Sequence, residues 1–389
     1  MIRQITTEKL PIKLWLNDVE EGALQQAKNL ANLPFAFHHV ALMPDCHQGF
    51  GMPIGGVLAL DAVIIPNAVG VDIGCGMCAV KTSLDHISHP QLKNVMADIR
   101  DATPLGFKRH KSIQDEKHMP ANTDPHSMEV VSREFESARY QVGTLGGGNH
   151  FIEIQKGSDG KIWIMIHSGS RNIGKQVADH YNRLAVRLNE QWKSPVPRSA
   201  QLAYLPLDTR ESQKYIKEMQ YCVDFALANR KLMMSRILDI FSDQFKSEFN
   251  AFPMINIAHN YAAKETHFGK EVIVHRKGAT LAENGTTGII PGSQGTQSYI
   301  VKGKGNPESF NSCSHGAGRV MGRKQAQRSL NLKEEIKKLN EKGIIHAVRS
   351  VRDLDEAASA YKDINQVMRN QKDLVEILVE LTPLAVVKG

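Results

Sequence analysis

The sequence predicts one large α+β domain, and three observations carry that reading. Strand-like segments lie towards both ends of the chain, a helical block separates them, and no internal repeat or low-complexity tract interrupts the pattern. A chain of 389 residues, 41% hydrophobic, can bury one large core or two smaller ones. Two strand-rich regions flanking the helices favour a single mixed domain over 1–389, with central sheets, flanking helices and a helical insertion at about 173–250.

The elements follow in order. Asp18 to Leu30 carries apolar residues at helical spacing and stops before Pro34; Ala36–Met43 and Val57–Ile65 then read as strands. Thr103 to Thr123 is polar, with Lys108, Arg109, His110 and Lys111 adjacent, and reads as a solvated surface loop. Helical spacing returns from about Ile173 to Trp192 and from about Glu211 to Phe245, the latter opened by an Asp208-x-x-Glu211 pair that resembles a capping box. Met254–Ala258, Glu271–His275, Thr286–Ile290 and Gln297–Lys302 read as short strands. A capped helix from Asn331 to Lys342 ends at Gly343, and Leu384–Lys388 reads as a closing strand.

Composition narrows the function classes only coarsely. No run of about 18 apolar residues exists to span a bilayer, and Met1–Leu10 lacks the basic-then-apolar pattern of a secretory signal, so a cytoplasmic protein without a membrane partner is expected. Five cysteines, Cys46, Cys75, Cys78, Cys222 and Cys313, are an odd number in a long chain, which argues against a disulfide framework. A net charge of +7 is compatible with a polyanionic partner but is weak evidence for one.

The chemistry concentrates where histidines stand beside glycines at strand ends. Val69-Gly-Val-Asp72-Ile-Gly-Cys75-Gly-Met-Cys78 puts a carboxylate and a thiol three residues apart in a glycine-dense turn. Gly143-Thr-Leu-Gly-Gly-Gly-Asn149-His150-Phe-Ile-Glu153 opens a strand with a histidine. Ile164-Met-Ile-His167-Ser-Gly-Ser-Arg171 and Asn256-Ile-Ala-His259-Asn260 end elements the same way. Asp, Cys and three His form a mixed oxygen, sulfur and nitrogen set that suits Zn²⁺ or Mn²⁺ better than Ca²⁺ or Mg²⁺. The alternative, separately satisfied polar residues at turns, fits any one of these histidines better than it fits all of them together. Cys75-x-x-Cys78 also spells a dithiol, but no thioredoxin-like βαβ pattern surrounds it. Two further glycine-rich loops, Ile290-Pro-Gly292-Ser293-Gln-Gly295 and Ser312-Cys-Ser314-His315-Gly316-Ala-Gly318-Arg319, could bring backbone N–H groups close to phosphate. Neither matches a P-loop or a dinucleotide-binding unit. On residues alone the reading stops at a metal-dependent enzyme acting on a phosphorylated substrate.

These segments, in this order, resemble the RtcB family of RNA-splicing ligases along nearly the whole chain. The resemblance rests on Pro44-Asp-Cys-His-Gln-Gly, Val71-Asp-Ile-Gly-Cys-Gly, Gly146-Gly-Gly-Asn-His-Phe-Ile-Glu, His167-Ser-Gly-Ser-Arg, Ala258-His-Asn-Tyr, His275-Arg-Lys-Gly-Ala-Thr, Ile290-Pro-Gly-Ser, Ser314-His-Gly-Ala-Gly-Arg and the terminal Val386-Val-Lys388-Gly389. It implies joining of an RNA 3′-phosphate or 2′,3′-cyclic phosphate to a 5′-hydroxyl, with GTP and Mn²⁺, in RNA repair or tRNA splicing. It implies that Asp72, Cys75, His150, His167 and His259 ligate two manganese ions, with Cys75 the bridge, and that His315 is the nucleophile that becomes guanylylated. Asn149, Phe151, Glu153, Ser293, Ser298, Ala317, Tyr361 and Lys388 fall where the family contacts the guanylate, and Arg171 and Arg319 where it holds the RNA terminal phosphate. Asp45 and His47 are supporting candidates. No accessory protein is identifiable from the residues. The rival readings are a dinuclear metal phosphatase or cyclic phosphodiesterase acting on RNA termini, which would need the metal ligands but not His315, and a non-enzymatic RNA-binding protein using the basic surface alone.

Overall fold

The computed structural model describes Met1–Gly389 and is a mixed α+β fold built on two sheets. The six-stranded sheet runs, in spatial order, Arg3–Ile5, Ile12–Leu14, Ala36–Phe50, Met52–Leu60, Lys270–Lys277 and Asn260–His267. The seven-stranded sheet runs Ile255–Ala258, Gly76–Lys81, Ile162–Ser168, Phe151–Gly157, Val375–Lys388, Ser298–Gly303 and Thr287–Ile290, and every pair in it is antiparallel.

The central strands of the seven-stranded sheet are apolar on both faces because both faces are covered. Ile152, Ile154, Ile162, Ile164 and Ile166 pack with Met233, Met234, Ile237 and Phe241 of a long helix, Arg210–Phe245. Phe151, Trp163 and Met165 point the other way, with Met77, Ile300, Leu339 and Val386. His167 continues this second face to the strand end, paired in register with Met77 and Phe151. The strand ends therefore carry polar side chains into one place while the strand bodies fix their spacing.

Several expectations hold in type and shift in extent. The helices expected from about Ile173 and Glu211 are Arg171–Gln191 and Arg210–Phe245. Thr209, not Asp208, caps the long helix, its hydroxyl accepting from the Ser212 N–H at 3.3 Å. Asn331 does cap Leu332–Glu341, accepting from the Lys333 and Glu334 N–H groups. The strands expected at Ala36–Met43 and Leu384–Lys388 are longer, Ala36–Phe50 and Val375–Lys388. The expected strand Val57–Ile65 is two, Met52–Leu60 and Val63–Ile64. The helices His89–Ala102 and Glu129–Arg139 were not foreseen, although Ser88 and Gln91 form a capping box at the first. The charged run in the 103–123 segment is partly docked: the Arg109 guanidinium lies 5.1 Å from the Tyr140 ring centre, and His110 Nε2 accepts from Arg236 at 3.0 Å.

A buried ion pair ties two adjacent strands of the six-stranded sheet to the Phe310–Ser312 segment. Arg276 reaches both carboxylate oxygens of Glu265 and also donates to Ser312 Oγ (2.9 Å) and the Phe310 carbonyl (2.9 Å). Burial alone would raise the Glu265 carboxyl, but hydrogen bonds from His267 and Arg276 bring it down to about 2. Glu265→Leu is expected to lower unfolding free energy by roughly 3–5 kcal/mol, because it leaves Arg276 buried without its carboxylate, whereas Glu265→Leu combined with Arg276→Met loses much less. The folded-state value lies below the ordinary 4.5, so the pair's contribution is complete above that pH and is lost as pH falls through about 2. Urea midpoints of the single and double variants at pH 7 and pH 3.5 check both expectations.

Candidate active site

Asp72 and Cys75 sit in the turn that precedes strand Gly76–Lys81. Gly74 makes that turn possible: it has φ +74°, and a Cβ there would stand 2.7 Å from the Val223 Cα of the long helix. The turn is closed by the Cys75 N–H donating to the Asp72 carbonyl (3.1 Å) and by the Gly74 N–H donating to the Asn260 carbonyl (2.8 Å). Cys75 Sγ then lies 3.4 Å from His150 Nε2 and 3.3 Å from His167 Nε2. His167 Nε2 is 3.4 Å from His259 Nε2, and Asp72 Oδ2 is 3.2 Å from His150 Nε2. Two triads result, Asp72–Cys75–His150 and Cys75–His167–His259, each with its donor atoms within 4.8 Å of one another, and Cys75 belongs to both.

This donor set fits divalent cations. The His167 Nδ1–H donates to the Asn149 carbonyl (3.0 Å), which leaves the Nε2 lone pair facing the sulfur and His259. Burial pushes His150, His167 and His259 below the ordinary imidazole value, which favours the neutral form a ligand needs. Burial and the Asp72 charge push the Cys75 thiol well up, a preference that a bound cation reverses. Burial opposes ionisation of Asp72 as well, but its hydrogen bond with His150 and the nearby Arg171 guanidinium hold it below the usual carboxylate range. His150 differs in one respect. Arg171 Nη2 donates to its Nδ1 at 2.9 Å, so the ring proton sits on Nε2, and ligation through Nε2 requires Arg171 to let go.

Two residues that the sequence reading missed hold these segments in place. Arg230, fully buried in the long helix, donates to the Gly74 carbonyl (3.0 Å), the Ser168 carbonyl (2.7 Å) and Asn256 Oδ1 (2.7 Å). Its neighbour Asn229 accepts from the Gly143 N–H (2.7 Å) and donates to Ser168 Oγ (3.0 Å). The available signal was two adjacent polar residues on a helix face that is otherwise Ala226, Met233 and Ile237.

His315 stands beside the cluster, its ring centre 4.8 Å from that of His259. Asp45, buried, accepts from His315 Nδ1–H at 2.6 Å and from the N–H groups of His315 (3.0 Å) and Gly316 (3.2 Å) through one oxygen. The supporting candidate Asp45 is thus a direct partner of His315, and it leaves the imidazole Nε2 with the lone pair. His47 Nδ1 folds back onto the Asp45 carbonyl.

A cleft of about 2240 Å³ runs past both features. Asp72, Cys75, His150, His167, His259 and His315 line it, as do Asn149, Phe151, Glu153, Ser293, Ala317, Arg319, Tyr361 and Lys388. Ser298 and Arg171 are not on its wall. Ser298 is buried behind it, accepting from the Gly292 N–H (3.1 Å) and Gln155 Nε2 (3.2 Å), and Arg171 is committed to His150. Arg319 is engaged as well: it donates to the Met321 carbonyl (3.0 Å) and Tyr361 Oη (3.3 Å) and pairs with Glu356 at 3.2 Å. Glu356, absent from the expected set, also pairs with Arg323 (2.8 Å), bonds Tyr361 and lies 4.0 Å from Lys388 Nζ. Lys388 is no frayed tail. It pairs with Phe151 in the sheet, and its ammonium lies 5.6 Å from the Phe151 ring centre. Burial raises the Glu153 carboxyl to about 8 and lowers the Lys388 ammonium.

Fold and site together define an α+β protein in which two triads that could each hold a metal ion share Cys75 and stand beside a carboxylate-anchored histidine. The family described as tRNA-splicing ligase RtcB matches residues 26–389, and the chain belongs to it. It is 39% identical to the RNA-splicing ligase RtcB of Escherichia coli K12, with 99% of each chain covered. It is 31% identical to the tRNA-splicing ligase RtcB of Thermococcus kodakarensis, over 95% of this chain and 92% of that one. It is 33% identical to RNA-splicing ligase RtcB homolog 1 of Entamoeba dispar, over 95% of this chain and 82% of that one.

The shared position of Cys75 generates a spectroscopic expectation. Cys78 faces the apolar core with Val80 and Ile166 and touches neither triad. Titration with Co²⁺ should give a near-ultraviolet thiolate-to-metal absorption in the unmodified protein and in Cys78→Ala, and none in Cys75→Ala. Loss of the band in both variants would point to a dithiol site instead.

Proposed function

We propose that the protein is a GTP- and Mn²⁺-dependent RNA ligase that joins RNA 3′-phosphate or 2′,3′-cyclic phosphate ends to 5′-hydroxyl ends through a histidine–guanylate on His315. The observation that carries this reading is the Asp45–His315 bond beside the two triads. A carboxylate that fixes Nδ1–H aims Nε2 as a nucleophile, the logic by which a buried aspartate orients a catalytic imidazole. Membership of the RtcB family and the names of its relatives support the ligase class.

In this reading His315 Nε2 attacks the α-phosphorus of GTP, a nitrogen–phosphorus bond forms and pyrophosphate leaves. An oxygen of the RNA 3′-phosphate then takes the guanylate and releases His315; a cyclic phosphate must first be opened by water. The 5′-hydroxyl oxygen finally attacks the 3′-phosphorus and GMP departs. Asp72, Cys75, His150, His167 and His259 would hold two Mn²⁺ ions, which when bound neutralise phosphate charge. Asn149, Phe151, Glu153, Ser293, Ser298, Ala317, Tyr361 and Lys388 are assigned to the guanylate. On the geometry above, Ser298 acts through the Gly292 backbone. Arg171 and Arg319 are assigned to the RNA terminal phosphate, Arg171 once released from His150. The segment 173–250, which we read as an insertion in one domain over 1–389, contributes Asn229 and Arg230. A phosphatase or cyclic phosphodiesterase on the same cluster would have no use for the Asp45–His315 pair.

Incubation with α-labelled GTP and Mn²⁺ tests the reading. The protein should retain label that is lost in mild acid and kept in alkali, and His315→Ala should retain none while still sealing RNA that already carries a 3′-terminal guanylate. Asp45→Asn should slow labelling roughly 100-fold or more, because the wrong ring tautomer is then favoured. An acid-stable adduct, or label that persists in His315→Ala, rules the assignment out.

The terminal residues give a second measurement. Removal of Lys388 and Gly389 should abolish labelling with an unchanged circular dichroism spectrum, and a truncated protein that charges normally would return Lys388 to a purely structural role.

A further inference from the structure

Asp45 sits where its strand leaves the regular ladder. Along Ala36–Phe50, Leu42 pairs with Gly56 and His47 with Ile54, so residues 43–46 face Gly55 alone. A bulge of this size leaves the aim of the Asp45 side chain unfixed by cross-strand pairing. Gly55 makes room for it: its φ is +82°, and a Cβ there would stand 2.8 Å from the Cys46 Cα and 3.0 Å from Asp45 Oδ1. The carboxylate itself is unevenly held. Oδ2 takes all three bonds from His315 and Gly316, while Oδ1 is buried without a partner.

Lys362 holds the bulge from outside the cleft. Its ammonium donates to the Pro44 carbonyl (3.3 Å) and the Cys46 carbonyl (2.5 Å), the two carbonyls that flank Asp45 and point to the same side of an extended chain. Its backbone N–H donates to the Gly318 carbonyl (2.9 Å), and the Val320 N–H donates to the Ala360 carbonyl (2.9 Å), with Arg319 and Tyr361 bridged between them. Residues 360–362 are thus paired with 318–320, the segment that follows His315. One residue therefore grips the loop of the candidate nucleophile through its main chain and the strand of its carboxylate through its side chain. Tyr361 lines the cleft and Lys362 does not, so the lysine is placed to act through Asp45 and not on a ligand.

A carboxylate can aim an imidazole only from the right distance, and a misplacement of about 1 Å costs roughly 100-fold in rate. We propose that Lys362 is a positioning residue for the nucleophile: by holding the Pro44 and Cys46 carbonyls it sets the Asp45 carboxylate against His315 Nδ1–H and so keeps Nε2 free for attack.

This rests on the ligase reading, and the measurements separate the two. In the full chain, Lys362→Met should slow labelling of His315 at saturating GTP roughly 10- to 100-fold while the KM for GTP changes less than about threefold. Sealing of RNA that already carries a 3′-terminal guanylate, a step without the nucleophile, should change less than about twofold. Lys362→Arg, which keeps a cationic donor for two carbonyls, should restore most of the labelling rate. Lys304→Met, which removes a surface lysine-to-carbonyl bond (2.6 Å, to Lys372), should alter none of these. Nitrogen NMR of the imidazole, in the full chain without Mn²⁺ and assigned with His315→Ala, reads the same contact without GTP. It should show Nδ1–H alone in the unmodified protein and a mixture of the two ring tautomers in Lys362→Met. Should Lys362→Met lose its circular dichroism spectrum, Lys362→Gln carries the same comparisons with one neutral donor group in place of the ammonium. Normal labelling, an unchanged ring spectrum, or equal loss of labelling and sealing in the folded variant overturns the proposal. Failure of the unmodified protein to label overturns the ligase reading instead, while the ring spectrum still decides whether Lys362 holds the Asp45–His315 pair.

Discussion

The buried guanidinium of Arg230 is the brace on which the site depends. Taking a charge out of water is expensive, and burial lowers the Arg230 value despite the opposing influence of Cys78, Cys75 and Asp72. Three hydrogen bonds offset that expense, and each lands next to a candidate ligand: Gly74 before Cys75, Ser168 after His167, and Asn256 in the strand that leads to His259. Asn229 extends the brace to the Gly143–Thr144 backbone ahead of His150. One turn of one helix thereby sets the relative positions of four chain segments, and donors about 3.4 Å apart tolerate little error in any of them.

Around this brace the structure separates two kinds of polar group. The two candidate metal-binding triads hold a carboxylate, a thiol and imidazoles but no cationic side chain, and sit where strands end. The neighbouring group of Arg319, Arg323, Tyr361 and Lys388 converges on Glu356, so its cations are already paired inside the protein. A phosphate binding at Arg319 would compete with Glu356, which would favour ligands offering contacts beyond charge alone. The apolar bodies of the central strands, buried on both sides, supply the rigidity that this arrangement needs.

The ligand types were legible because each stands beside glycine at a strand end, a local pattern. Their convergence was not, because it depends on the long-range register that sets Met77, His167 and Phe151 side by side. Arg230 and Asn229 were hidden for a related reason: on an amphipathic helix two polar residues read as part of the wet face until the neighbouring strands are in place. Both truncated strands failed at proline. Pro44 and Pro383 bound the expected strands, yet the chain continues extended through each, with register shifts nearby that accommodate the missing donor. Arg171 and Arg319 each hold a partner inside the protein, His150 and Glu356, that sequence could not name.

The Asp45 carboxylate grips the side chain of His315 and the backbone on both sides of it at once. An imidazole held in this way can neither rotate nor travel. Enzymes that pass a covalent group between distant stations do so on long, hinged arms; a tethered ring of this kind is a fixed post. In the proposed reaction a group on His315 would have to be delivered and collected at one point in space, so that the order of events would follow the entry and exit of ligands along the cleft, with the imidazole as the stationary partner.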